Sequence, residues 1–258
     1  MTQLRVYQTE AIVIKRIKLG EADRILTLYT PEKGKIRAVA KGTRRPISKL
    51  GGHVELLTHS QLLIARGRNL DIITQAQTIN SFMPIKNDLI RLSQGLYCAE
   101  LVDAFAAEHI ESVETFHLFR DTLDRLANSD MSAIALRYFE LQLVNYLGYR
   151  PQLQSCTLCN KGIQPEINYF SSSQGGIICP QCVHEEVLSR RLSLNALKVL
   201  RLWQNCDYAI AVRINVNDEL AKELETVIRD YLKYLLEKQI KSTAFLDALK
   251  VKPAAIDN

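Results

Sequence analysis

Cys156 and Cys159, then Cys179 and Cys182, form two Cys-x-x-Cys pairs separated by 19 residues. Two thiolates two residues apart can chelate one ion from a tight turn. Two such turns complete a tetrahedron with Zn–S distances of about 2.3 Å. Sulfur then fills all four positions, and none is left for water or substrate, so the chemistry is structural. The 36 residues from 151 to 186 are poor in large apolar side chains. Zinc binding would therefore supply much of their folding free energy, on the order of 10 kcal/mol. His184 stands two residues past Cys182 and could replace a ligand, although four cysteines already suffice. Neither pair lies in a βαβ pattern, which argues against a redox role. Cys98 and Cys206 fall among apolar helical neighbours and read as small buried hydrophobes.

A second set of candidate residues is cationic. Residues 1–81 hold 14 Lys and Arg against 6 Asp and Glu, a balance of +8, whereas residues 82–258 hold 19 against 22. Such asymmetry points to a polyanionic partner, nucleic acid or a membrane surface. The candidate phosphate contacts are Lys15, Arg16, Lys35, Arg37, Lys41, Arg44, Arg45, Lys49, Arg66 and Arg68. Alternation puts Lys35, Arg37 and Lys41 on one strand face. The loop over residues 42–52 adds three more charges on flexible backbone. Binding of this kind releases counterions and weakens steeply with salt. Stacking platforms are scarce: the region offers Tyr7, Tyr29 and the flanking Phe82, and Tyr29 in its apolar strand reads as core. Electrostatic, sequence-tolerant binding is expected, with stacking secondary.

Two kinds of element must position these residues. Residues 5–81 read as five closely spaced strands, over 5–17, 23–29, 35–41, 54–65 and 71–79, with turns at Gly20, at Pro31 to Gly34 and at Arg66 to Asn69. Five short strands suggest a small barrel, for which the OB-fold is the candidate. From Pro84 the apolar period changes to about 3.6. Ile85, Leu89, Leu92, Leu96, Ala99, Val102 and Ala106 line one helical face. A second helix follows a Ser112 cap and a third an Asp130 cap. The third is apolar nearly all round and is stopped by Gly148 before Pro151. Residues 151–186 break the helical pattern. Ser193 then opens a helix through Leu197, Leu200 and Trp203. Asn217 or Asp218 opens the last long one, whose face is Leu220, Leu224, Val227, Ile228, Tyr231 and Leu235. The tail after Pro253 is expected to fray.

The fold class is therefore α+β and multidomain. A basic five-stranded OB-fold barrel occupies residues 1–81 and a helical domain residues 82–150. A four-cysteine zinc module is inserted at 151–186, and the C-terminal helices at 187–258 pack on the helical domain. With 258 residues, 47% of them hydrophobic, the chain is long enough for a sizeable core.

Several function classes are excluded or disfavoured. No run of 18 apolar residues exists, so no transmembrane helix is expected. The first ten residues lack the apolar core of a signal peptide. The expected location is the cytoplasm, where six cysteines stay reduced. No GxxxxGK[ST] phosphate loop supports an ATPase. Five scattered histidines form no Ser/His/Asp pattern. Glu100, Asp103 and Glu108 are the nearest approach to a two-metal nuclease site, but their helical spacing reads as a solvated face. A non-enzymatic nucleic-acid-binding protein remains, with an RNA-binding or transcription-associated zinc protein as the alternative.

Longer motifs narrow this further. The run Gly20-Glu21-Ala22-Asp23-Arg24-Ile25-Leu26-Thr27-Leu28-Tyr29-Thr30 is similar to the N-terminal signature of the RecO family of recombination mediators. So are the stretch from Gly34 to Gly42 and Arg66-Gly67-Arg68. Tyr138-Phe139-Glu140, Leu147-Gly148-Tyr149-Arg150-Pro151 and the paired cysteines resemble its central region. The likeness keeps the motif order over almost the whole chain. It implies an OB-fold followed by a helical domain with a zinc module. It also implies binding of single- and double-stranded DNA and annealing of complementary strands. The implied partners are RecR, often RecF, and the acidic C-terminal tail of single-strand-binding protein, acting together to load the RecA recombinase near the nucleoid. The DNA-contact residues above rest on charge and position, not on the motifs.

Overall fold

In the computed structural model, residues 5–129, 132–186 and 188–236 are described. The chain divides into two compact units, Met1–Asn128 and Ser129–Gln239. The expected cap at Asp130 and the fraying after Pro253 lie outside the described residues.

The first unit is built on a closed barrel of β1 (Val6–Leu19), β2 (Asp23–Thr30), β3 (Gly34–Ala40), β4 (His59–Ala65) and β5 (Asp71–Asn80), in the order β1-β2-β3-β5-β4. The OB-like barrel expected from the strand spacing is therefore present. All ladders are antiparallel except β3–β5, which closes the barrel in parallel. Alternation decides what faces inward. Ala11, Val13, Leu26, Leu28, Ile36, Ala38, Ala40, Leu62, Ile64 and Ile73 fill the interior with Val54.

Three differences from the sequence reading have local causes. The fourth strand begins at His59 rather than at residue 54. Residues Gly51–Val54 form a 3-10 turn, and Leu57 takes a left-handed backbone at φ 59. Their apolar side chains are buried core contributed by a loop, so hydrophobicity alone mimicked a strand. In β1 the register with β2 shifts between Val13 and Lys15. This bulge flips the parity of everything after it. Arg16, opposite the core residue Leu26, takes an inward position, and Lys15, opposite Thr27, faces out. Finally, the helix expected from Pro84 onward is two elements, α1 (Met83–Asn87) and α2 (Leu89–Phe105). Asp88 breaks the run and caps α2, its Oδ1 accepting from Arg91 N at 2.8 Å. Of the expected face, Ile85, Ala99, Val102 and Ala106 are buried, Leu92 and Leu96 are half-buried and Leu89 is exposed, while Gln94, Gly95, Tyr97, Cys98 and Leu101 also face the core.

Helix α3 (Val113–Asn128) follows Ser112 as expected and packs on the barrel. Its Phe116 and Phe119 lie 6.3 and 6.5 Å from the ring of Tyr29, which is fully buried.

The second unit comprises α4 (Ser132–Tyr146), α5 (Leu194–Trp203), α6 (Tyr208–Ala211) and α7 (Asp218–Leu236), together with a sheet of β6 (Asn168–Ser171), β7 (Gly176–Ile178) and β8 (Arg190–Leu192) in the order β7-β6-β8. Residues 135–144 of α4 are all buried, as expected from apolar side chains on nearly every face, and the burial extends to Arg137, Glu140 and Gln142. Gly148, at φ 86, ends that helix. Ser193 Oγ accepts from Ala196 N at 3.1 Å and Asn217 Oδ1 from Leu220 N at 3.0 Å, so both expected caps are made. The three-stranded sheet was not legible in the composition of residues 151–192.

Candidate metal centre and cationic barrel surface

The four cysteines converge within the second unit. Their Sγ atoms all lie within 4.8 Å of one another. Cys159 and Cys179 approach to 3.9 Å, close to the spacing of about 3.8 Å expected between sulfurs sharing one tetrahedral zinc ion. Each pair sits on its own hydrogen-bonded turn. Asn160 N donates to Cys156 O at 2.9 Å and Cys182 N to Cys179 O at 3.0 Å. The two turns are tied together by Thr157 N to Ile177 O at 2.9 Å, and Cys179 N donates to Cys156 Sγ at 3.4 Å. Gly176 is needed because a Cβ there would meet Gln152 O at 2.4 Å.

The electrostatics of the cluster fit a cation. Burial opposes ionisation of Cys156, but backbone N–H groups of Cys159, Cys179 and Leu158 and the Cys159 thiol outweigh it and bring its pKa down to about 6. Hydrogen bonding to Cys179, then burial and the other two sulfurs, pushes Cys182 up to about 12. Four crowded sulfurs cannot all ionise unless a positive ion compensates them. The donor set could hold one metal ion with no open position. His184 lies in a short 3-10 turn after Cys182 and is not among the converging ligands.

The module is anchored to the helices of its own unit. Gln204 Nε2 donates to Pro151 O at 2.8 Å and Arg201 Nε to Leu153 O at 2.8 Å. Phe170 of β6 meets Tyr231 of α7 edge-on at 5.5 Å. Of the two remaining cysteines, Cys98 is fully buried in the first unit and Cys206 is half-buried in the second.

The ten candidate phosphate contacts separate into two groups. Lys15, Arg16 and Lys35 are engaged with carboxylates. Asp103 of α2 lies 3.1 Å from Lys15 Nζ and 3.5 Å from Lys35 Nζ, and Lys35 also donates to the Asp103 carbonyl. Asp103 is therefore not the solvated helix face that its spacing suggested. Arg16 pairs with Glu55, which also accepts from Arg24 at 2.9 Å. Register places Arg16 opposite Leu26 and Arg24 opposite Ala40, both inward positions, so this trio closes one mouth of the barrel. Burial acts against the Glu55 charge, but the two guanidinium groups prevail and hold its carboxyl below the usual range.

The second group points outward. Arg37, Lys41, Arg44, Arg45, Lys49 and Arg68 are exposed and make no ion pair among the described residues. Arg37 lies beside Thr27, which lies beside Lys15, in one row across three strands. Arg66 is exposed and its guanidinium stands 5.6 Å from the ring centre of Tyr7, while Lys33, missed in the sequence reading, stands 4.9 Å from the same ring. Tyr7 Oη donates to Asp71 Oδ2 at 2.7 Å. Neither Tyr29 nor Phe82 is available as a stacking platform, because both are buried.

Among the described residues, no helix is long and apolar enough to cross a membrane. Two family models match the chain: "Recombination protein O N terminal" over residues 1–82 and "Recombination protein O C terminal" over residues 86–244. The chain is 40% identical to a protein of Dehalococcoides mccartyi named DNA repair protein RecO, covering 97% of this chain and 99% of that one. A Roseiflexus protein of the same name is 40% identical over 95% of this chain and 87% of its own, and one from Desulforamulus reducens 35% identical over 95% and 96%. With an OB-like barrel, a helical unit and a four-cysteine cluster already in place, these matches span both halves of the sequence, and the chain belongs to the RecO family of DNA repair and recombination proteins.

Proposed function

We propose that this chain is a non-catalytic recombination mediator that binds single- and double-stranded DNA through its barrel and anneals complementary strands. The observation that carries the reading is the outward cationic group, Arg37, Lys41, Arg44, Arg45, Lys49 and Arg68, set on a unit in which, of the three candidate stacking residues, Tyr29 and Phe82 are buried and only Tyr7 is left half-exposed. Cations neutralise phosphates and lower the repulsion between two strands. The scarcity of base-reading side chains leaves base edges free to pair. Annealing then needs charge screening and proximity, with no bond made or broken by the protein.

Residues 1–81 supply the DNA-binding element in this reading, and 151–186 the metal module between the helical segments 82–150 and 187–258. Cys156, Cys159, Cys179 and Cys182 hold one zinc ion, whose role is to cross-link two turns of the scaffold. Lys15, Arg16 and Lys35 act mainly by shaping the barrel, and the remaining seven of the ten cations meet phosphates. Membership of the family supports action with RecR, and with RecF, on DNA coated by single-strand-binding protein, whose acidic tail is a further ligand. Loading of recombinase follows from that assembly, in the cytoplasm at the nucleoid and without a membrane.

The test is the rate of annealing of complementary oligonucleotides against salt, on bare DNA and on DNA coated by single-strand-binding protein. Replacing Arg44, Arg45 and Lys49 together by alanine should slow annealing and flatten the salt dependence by about 3 in the logarithmic slope. An unchanged rate and slope would remove these residues from the proposal.

A further inference from the structure

Ile47 is the most exposed large apolar side chain among the described residues, with 95% of its surface in water. It does not sit on a slack loop. Ser48 N donates to Arg45 O at 3.1 Å, closing a four-residue turn with Pro46 and Ile47 at its centre. Proline at the first central position presets that turn. The turn is anchored on both sides. Gly42 N donates to Asp23 Oδ1 at 2.7 Å, Arg44 N to Ala22 O at 3.0 Å, and Arg45 N to Gly42 O at 3.1 Å. Beyond it, Ser48 Oγ accepts from Leu50 N at 3.3 Å and Gly51 N at 3.0 Å. The sequence expectation of a flexible loop over 42–52 is thus replaced by a braced one that holds a branched apolar side chain out into solvent.

The surroundings say what the tip is built to meet. Residues 41–50 contain Lys41, Arg44, Arg45 and Lys49 and no acidic residue. All four cations are exposed. An apolar tip between cations matches the wedge that nucleic-acid-binding proteins insert between adjacent bases while flanking cations hold the phosphates. A protein partner would be expected to take a larger anchor, most often aromatic or arginine. A lipid surface needs more apolar area than one isoleucine provides.

We infer that Ile47 is an unstacking wedge: it enters between neighbouring bases of a DNA strand held by Arg44, Arg45 and Lys49. This inference rests on the reading of the barrel as a DNA-binding surface and adds a mechanical step to it. Parting one stacked step in a single strand kinks it there and opposes folding of the strand on itself, which keeps its bases open to the complementary strand.

The experiment uses the full chain and a single-stranded oligonucleotide carrying a fluorescent purine analogue whose emission is quenched by stacking. Wild-type protein should raise the emission on binding. Ile47→Ala should lose that rise and bind roughly ten- to a hundredfold more weakly, as expected for removing one buried aliphatic side chain. Its salt slope should match the wild type, since no charge is removed. Ile47→Trp should restore unstacking and report it through quenching of its own fluorescence. If Ile47→Ala binds and raises the emission as the wild type does, the wedge is overturned while the DNA-binding reading stands. If the wild type fails to bind the oligonucleotide in low salt, both fall. If Ile47 instead controls binding to vesicles of phosphatidylserine with no unstacking of DNA, the wedge is likewise overturned.

Discussion

Asp103 stands 3.1 Å from Lys15, although 88 positions separate them in the chain. The same carboxylate reaches Lys35 at 3.5 Å, so one acidic residue on α2 offsets two cations of the barrel's outer face. These pairs are partly exposed and each contributes at most about 1 kcal/mol to stability. Their larger effect is on the charge offered to DNA. Asp103→Asn should strengthen DNA binding at low salt and steepen the logarithmic salt slope by about 1. Titrating the variant with labelled oligonucleotide at several salt concentrations reads both. An unaltered slope would mean that the two lysines do not meet phosphate even when released.

The metal cluster and the cationic barrel lie in different units, which makes their roles separable. Purified protein should carry one equivalent of metal, lost on substitution of Cys159 or Cys179 by serine. Cys156→Ser should be the most damaging, because its buried Sγ also accepts from Cys179 N at 3.4 Å. Loss of metal should open residues 151–186 to protease, since an ion held by the four cysteines would supply much of their folding free energy. The salt slope of DNA binding should not move. Metal analysis, limited proteolysis and binding isotherms on the same samples would expose a contrary result.

What could be read from the sequence depended on how local its cause was. Two Cys-x-x-Cys pairs act through short turns, so Cys156, Cys159, Cys179 and Cys182 were legible. Alternation along β3 was equally plain, with Ile36, Ala38 and Ala40 inside and Arg37 outside. Ser193 and Asn217 announced their helices because a cap acts within three residues. The bulge after Val13 was not legible, and it alone decides that Arg16 turns toward Glu55 rather than outward. The fourth strand was legible but its start at residue 54 was too early, because Val54 and Leu57 are buried by a loop and burial is not specific to strands. The pairing of Asp103 with Lys15 and Lys35 depends on α2 meeting β1, a tertiary fact no window of sequence contains.

His59 is almost fully buried, 3.1 Å from Glu10 and edge-on to Phe116 at 5.7 Å. Burial is the main influence on it and favours the neutral ring. Arg120 acts the same way, and Glu10 opposes both, leaving the pKa below its ordinary 6.5. The unfolded chain therefore takes up this proton at a higher pH than the folded one. Stability contributed by the neutral ring is present above about pH 6.5 and is lost as the pH falls toward the lowered folded value, at no more than about 1.4 kcal/mol per pH unit. His59→Gln should flatten the dependence of unfolding free energy on pH just below 6.5. Identical curves for the two proteins would show that another group carries the effect.

Arg137 and Glu140 form the most deeply buried ion pair among the described residues, at 2.6 Å, with side chains 8% and 0% exposed. Arg137 also lies 3.6 Å from Glu225, which pairs with Arg229 at 2.9 Å. Two cations and two carboxylates thus balance inside the second unit, among apolar residues of α4 and α7. Removing one member leaves a buried charge without its counterpart, so Glu140→Ala should cost about 3–5 kcal/mol. Removing both should cost less, because desolvation of the pair offsets much of its attraction. Arg137→Leu combined with Glu140→Leu should therefore be more stable than Glu140→Ala, even though it erases the whole contact. Trp203, the single tryptophan, is buried in the same unit and reports its unfolding in urea. A double variant less stable than the single one would mean that the pair is favourable in its own right, and that Glu225 cannot carry a neutral neighbour.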